Sequence, residues 1–226
     1  MHVSRKLGLR RLVVLIFAVI GASACAQTEV QAQVPVAVGN AGMTRSVTWY
    51  DGGVRRTAWL SAELVMEFRD GSSEESVLRT VEPGARLIES RARAVHLWQV
   101  GSADKTLRSL SAVNPPNTPN TPNTATSGTT GRFSPVFHDA ASAEGGKRAL
   151  PGGIIVFFKS EWSDAEIRRW LAAKGHEADR KLNIAGNVYV VKTAPGLPAL
   201  EAANAIHGSG EVLSAAPNWW QDRQLR

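Results

Sequence analysis

Apolar and polar positions alternate with period two, then with helical spacing, and the change of period marks out the elements. Ser46 to Tyr50 and Val54 to Leu60 read as strands flanking Asp51-Gly52-Gly53, a strong hairpin signal. Leu64 to Arg69 is a further β-like run. The pattern is clearest after residue 150. Gly153 to Lys159 reads as a strand, and Ser163-Asp164-Ala165-Glu166 as a capping box opening a helix, with Trp162 and Ile167 placed as a hydrophobic staple. Ile167, Trp170, Leu171 and Lys174 keep helical spacing, and Gly175 suits a left-handed stop. Ala178 to Ile184 and Asn187 to Thr193 read as strands around the Gly186-Asn187 turn. Pro198 opens a second helix with Leu200, Ala203 and Ile206 on its apolar face, Gly208 and Gly210 end it, and Glu211 to Ala216 is a last strand before Pro217.

The resulting order is β-α-β-β-α-β, so the expected fold class is α+β with a ferredoxin-like C-terminal domain, a four-stranded antiparallel sheet under two helices. Ile154 to Phe158 and Val188 to Val191 are apolar on both alternating faces. Helices cover one face only, so the other calls for a further layer: a partner, a second copy or the first half of the chain.

That first half echoes the second. Leu64 to Arg69 can be laid on Ile154 to Lys159 and Ser73, Glu74 and Val77 on Ser163, Asp164 and Ile167, at an offset of 90 positions. Val95 to Trp98 then falls on Val188 to Val191, and Leu107 on Leu200, at an offset of 93. Phe133 to Phe137 would supply the fourth strand. The first half is read as a degenerate copy of the same fold, with a chance likeness of two αβ segments as the alternative.

These patterns divide the chain into a leader at 1–26, a mature N-terminus without sustained period at 27–43, and an αβ region at 44–113. An Asn/Thr/Pro-rich stretch follows at 114–131, then a lead-in at 132–150 and the C-terminal domain with its tail at 151–226. The repeated Asn-Thr-Pro unit lacks core-forming side chains and serves either as a linker or as an insertion in a surface loop.

The leader reads as a signal peptide: a basic head with Arg5, Lys6, Arg10 and Arg11, an apolar run from Leu12 to Ile20, and small residues around Ala24 and Ala26. The run is shorter than the ~20 residues that span a bilayer. The expectation is export to a periplasmic or extracellular location, with membrane attachment only if Cys25 becomes a lipid-bearing N-terminus. Cys25 is the single cysteine, so the exported chain is expected to lack disulfides and to rely on packing. Charge adds little. The chain has 26 basic and 20 acidic residues, of which four basic and no acidic ones lie in the leader, leaving a net +2. No basic patch with interleaved aromatics points to nucleic acid.

No set of residues meets the requirements of catalysis or cofactor binding. His207 and Ser209 sit at a helix end, without an orienting acid or oxyanion donors in register. The histidines lack metal-ligand spacing, and no phosphate-cradling glycine loop is present. The expectation is a protein that is not an enzyme and has no cofactor. Trp219-Trp220 is the unusual feature. On a strand-like path one ring points in and one out, so the pair is expected to offer one packing residue and one available as a binding anchor.

Leu150 to Lys159, Gly186 to Val191 and Ala215-Ala216-Pro217-Asn218-Trp219 resemble the propeptide and inhibitor domains of subtilisin-like serine proteases, in particular the fervidolysin-type N-terminal prodomain. Phe133 to Asp139 resembles the lead-in before such domains. The resemblance implies that the open sheet face packs on a protease and that the segment after the last strand enters the active-site cleft like a bound product. Carried over, it points to Phe157, Tyr189 and Val191 on the sheet, and Trp219, Trp220, Gln221, Leu225 and Arg226 in the tail. No catalytic-domain motif of a subtilase is present, so the expected activity is in trans: binding and inhibiting, or chaperoning, a separate subtilisin-like protease. The alternative is a noncatalytic interaction or structural module of the cell envelope.

Overall fold

Two adjacent glycines build the first hairpin. Gly52 and Gly53 take φ values of 55° and 83°, the left-handed conformations that a two-residue type I′ turn requires. Asp51 and Val54 pair directly across the turn. The hairpin joins β1 (Met43–Asp51) to β2 (Val54–Phe68) in a computed structural model that describes residues 42–69, 76–91, 94–113, 131–142 and 146–221. The leader, most of the Asn/Thr/Pro stretch, Leu225 and Arg226 lie outside the described residues. Strand β2 runs through both β-like stretches that the sequence separates, with a register shift between Leu60 and Val65 against its neighbour.

The chain continues through α1 (Val77–Val81), β3 (Arg86–Arg91), β4 (Val95–Gln99), α2 (Ala103–Val113), β5 (Arg132–His138) and β6 (Lys147–Ala149). The second half comprises β7 (Ile154–Phe158), α3 (Asp164–Ala173), β8 (Ala178–Lys181), β9 (Asn187–Val191), α4 (Leu197–Gly208), β10 (Ser214–Pro217) and the short β11 (Trp220–Gln221). The architecture is mixed α+β with antiparallel strand pairing. One sheet runs β11-β6-β5-β2-β4-β3, with β1 also on β2; the other runs β10-β7-β9-β8. The two halves share an element order. They also share a spatial order, since β5-β2-β4-β3 matches β10-β7-β9-β8 strand for strand.

The pairing registers correct the sequence alignment of the halves. Val65 opposes Trp98 on the helix-covered face of the first sheet, as Ile154 opposes Val191 in the second. Equating these pairs keeps the offset of 93 for the second stretch but requires 89, not 90, for the first. A one-residue slip turns every side chain to the opposite face of a sheet. In the corrected register Leu78 falls on Ile167 and Leu110 on Ala203, all buried. Glu67 falls on Val156.

The capping box of α3 appears as the sequence predicts, whereas β8 ends at Lys181 rather than Ile184 and β10 runs Ser214–Pro217 rather than from Glu211. The Ser163 hydroxyl accepts from the Glu166 amide at 3.3 Å, and the Glu166 carboxylate accepts from the Ser163 amide at 2.7 Å. The Ser163 hydrogen bonds hold the Glu166 carboxyl below its usual range. A depressed carboxylate favours the fold above its unfolded pKa, and this contribution fades as pH falls through the folded value. Ser163→Ala should lower unfolding free energy by about 1 kcal/mol, measured by urea denaturation at neutral pH. The same comparison near pH 3 should show a smaller difference.

Among the described residues, the first half packs on the helix side of the second sheet rather than on its helix-free face. The Asn204 amide on α4 donates to the Thr48 carbonyl at 2.8 Å, and Tyr50 stacks on His207 with centroids 4.2 Å apart. Trp49, Ala58, Leu60 and Phe137 join Ile154, Tyr189, Leu200 and Ile206 in one core.

Candidate docking face and C-terminal segment

Alternation sorts the residues of β7 and β9 into two sets. Ile154, Val156 and Phe158 face the helices together with Tyr189 and Val191. Ile155 and Phe157 lie on the opposite face, across from Val190 and Val188. Phe157 is 38% exposed. Leu213, 65% exposed, flanks it, with its amide donating to the Phe157 carbonyl at 2.9 Å. Ile184, between β8 and β9, is also exposed. Ser214 and Ala216 of β10 share this face by opposing Phe157 and Ile155, so the helix-free face combines buried Val188 and Val190 with the exposed Phe157 ring.

This placement changes the expected site. Phe157 is on the face the resemblance points to. Tyr189 and Val191 are not: both are fully buried against the helices, so neither can meet a partner while the domain is folded. Half-buried Ile155 shares the face with Phe157, while Val188 and Val190 line it but are only 1% and 6% exposed. All five consecutive residues of β9 except the first are apolar, so composition alone gives no face. Only the cross-strand register does.

Tyr189 instead packs edge-on to Phe158 in the helix-side core, close to the start of α3. Burial, and then the neighbouring Asp164 carboxylate, push its pKa up to about 12. The Tyr189 hydroxyl and the Lys181 ammonium, 2.9 Å away, hold Asp164 below the usual carboxylate range. The phenol therefore stays neutral at every pH where the protein would work.

The paired tryptophans divide between the two faces of the larger sheet. The Trp219 ring lies 4.9 Å from Trp49 and 5.0 Å from Phe137. The Arg148 guanidinium sits over both indoles, 5.6 Å from Trp49 and 5.9 Å from Trp219, and pairs with Asp139. Trp220 lies edge-on to Phe68 at 6.3 Å and packs with Met66, Leu97 and Val136. In β11, Trp220 opposes Ala149 and Gln221 opposes Arg148. The expectation that one tryptophan packs and the other is available is therefore corrected: both pack, because the chain turns after Pro217 and adds an edge strand to the first-half sheet.

A buried carboxylate lies at Glu67, which is 1% exposed. The Trp98 indole N–H donates to it at 2.8 Å. The Arg69 guanidinium and the His96 ring each lie 3.8 Å away. Gly131 roofs the site: a Cβ there would come within 2.8 Å of Glu67 Oε1. A lone glutamate in the otherwise apolar run Leu64 to Phe68 is the trace it leaves in the sequence.

Among the described residues, no group of three or more His, Cys, Asp or Glu is placed to hold a metal ion. His207 stacks on Tyr50, and the Ser209 hydroxyl donates to the Ile206 carbonyl at 2.8 Å; both serve the end of α4.

Residues 137–218 match the family model described as the fervidolysin N-terminal prodomain, a propeptide domain of the subtilisin-like kind. The matched stretch takes in the whole four-stranded sheet and both of its helices, and stops just before Trp219-Trp220. The prodomain family is noncatalytic, and propeptide domains in general partner with subtilisin-like proteases. No curated protein and no solved structure matches the chain.

Proposed function

We propose that this protein is an exported, noncatalytic, propeptide-like binder that docks on a separate subtilisin-like serine protease and inhibits or chaperones it. The observation that carries the reading is the coincidence of the matched stretch with a sheet whose helix-free face exposes Phe157. In this reading residues 154–217 form a ferredoxin-like domain, and the first half is a degenerate copy that buttresses its helices. The leader at 1–26 directs the chain to the periplasm or the outside of the cell. No cofactor takes part.

The mechanism combines complementarity of the sheet face with product-like occupation of the protease cleft by the segment that begins at Trp219. Phe157, with half-buried Ile155 beside it, offers an apolar centre, and Arg180, opposite Val190 on the same face, supplies charge at its edge. Phe157→Asp would place a carboxylate in that centre. Loss of an interface hot spot corresponds to about 2 kcal/mol or more, so the inhibition constant against a subtilisin-like protease should rise by at least about 30-fold. Peptide-substrate hydrolysis reads this out, with thermal melts to show that the variant remains folded. Inhibition unchanged by the substitution would contradict the assigned face.

A second reading is favoured by the docking of Trp219 to Gln221 on the chain's own sheet. An interaction module of the envelope needs only a sheet face and no free tail. It predicts no inhibition of any subtilisin-like protease by the folded wild-type protein.

A further inference from the structure

We propose that the first half of the chain is a receptor for the chain's own C-terminal segment, and that this contact keeps the protein in a closed form with reduced affinity for its protease. The inference rests on the protease-binding reading above. It adds a regulatory element that neither the family match nor the open sheet face supplies.

Pro217 closes β10, and the Trp219 amide donates back to the Pro217 carbonyl at 3.1 Å, which turns the chain sharply. The Asn218 amide donates to the Gly153 carbonyl at 3.3 Å, so the turn is fixed against the start of β7. The chain then leaves the four-stranded sheet and joins the edge of the other one. Trp219 enters the site between Trp49 and Phe137 under Arg148, while Trp220 reaches the opposite face against Phe68. The two rings grip the edge strand β6 from both sides, and the pairing of Trp220 with Ala149 and Gln221 with Arg148 closes the contact along the backbone.

The latch has a weak side. Strand β11 is two residues long and β6 three. Among the described residues, the buried Trp219 indole N–H has no hydrogen-bond acceptor, an unfavourable state for a polar group removed from water. Trp220 is only partly buried. The segment is thus held by ring packing over a short backbone contact, the kind of element that opens locally without global unfolding. A segment docked in this way cannot also lie extended in a cleft. Binding that uses the tail must first release it, and apparent affinity falls by the fraction of molecules that are open.

A cross-link across β6 and β11 tests this. Arg148 and Gln221 are direct antiparallel partners, a spacing of about 4.5–5.5 Å between Cα atoms that a disulfide accommodates. The full chain carrying Arg148→Cys and Gln221→Cys, with Cys25→Ser so that only the new pair can form, is titrated against subtilisin oxidised and reduced. Thermal melts confirm folding in both states. The oxidised form should inhibit at least about tenfold more weakly than the reduced form. The reduced form, lacking the Arg148 contacts, should inhibit at least as well as the wild type. Equal inhibition in both redox states overturns the latch and leaves protease binding intact. No inhibition in either state, nor by the wild type, overturns protease binding and the latch with it. Hydrogen exchange on the wild type gives an independent reading: of the Trp220 and Gln221 amides, the one aimed at β6 should exchange more slowly than in an unstructured peptide, and unprotected exchange of both would also overturn the proposal.

Discussion

Phe158→Ala should lower unfolding free energy by about 3–5 kcal/mol, the range for emptying a buried aromatic site, while Phe157→Ala, one residue earlier, should change it by less than about 1 kcal/mol. Phe158 is buried on the helix face, edge-on to Trp170 and Tyr189 with centroids 5.7 Å away, and 5.8 Å from Trp162. These rings close one end of the core between α3 and the sheet. Alanine would leave a cavity that three rigid aromatic side chains and a capped helix cannot collapse to fill. Phe157 projects from the same strand to the opposite, helix-free face. Urea denaturation of the two variants measures the difference. Similar losses at the two positions would mean that both faces of the sheet are covered, and the docking face would have to be sought elsewhere.

Glu67→Ala should be equally severe, at about 3–5 kcal/mol, although Glu67 is polar. The carboxylate accepts from Trp98 and lies between Arg69 and His96 inside the first-half core. Removing it strands the indole N–H and leaves the partly buried Arg69 guanidinium without its counter-charge. Glu67→Gln keeps an acceptor for Trp98 and should cost less, about 1–2 kcal/mol. Chemical denaturation followed by tryptophan fluorescence distinguishes them, since Trp98 reports on the site directly. If alanine and glutamine prove equally mild, the carboxylate is not what organises that core.

What could be read from the sequence depended on how local its physical cause was. The capping box at Ser163 and Glu166, the glycine pair of the first hairpin and the apolar face of α4 involve neighbours a few positions apart, and the residue types at that spacing leave one favourable arrangement. The order β-α-β-β-α-β followed from the same local signals. The faces of β7 and β9 did not. Val188, Tyr189, Val190 and Val191 are all apolar, so alternation carries no parity information, and Tyr189 and Val191 were placed on the wrong side. The alignment of the two halves slipped by one residue for the same reason: Leu64 to Phe68 is apolar at four positions of five, and only its pairing with β4 reveals that Val65 and Glu67 face the helices. The buried Glu67 and the docking of Trp219-Trp220 depend on contacts between distant parts of the chain. Nothing in the local pattern of Pro217 to Gln221 says that the segment crosses to another sheet.

The two halves are therefore complementary in use. The second carries the helix-free face proposed to dock on a protease. The first supports α4 from behind through Thr48 and Tyr50 and holds the segment that follows the last strand. Truncation to the matched stretch would remove both supports, so the full chain is the appropriate material for functional work.

The central claim is that the helix-free face of β7 and β9 meets a subtilisin-like protease. Its most direct test places a benzophenone side chain at Phe157 of the full protein and irradiates it with active-site-blocked subtilisin, with the same group at Val54, an exposed residue of β2, as the control. The account predicts a covalent adduct with the protease from position 157 and none from position 54. No adduct from position 157, or equal adducts from both, would contradict it.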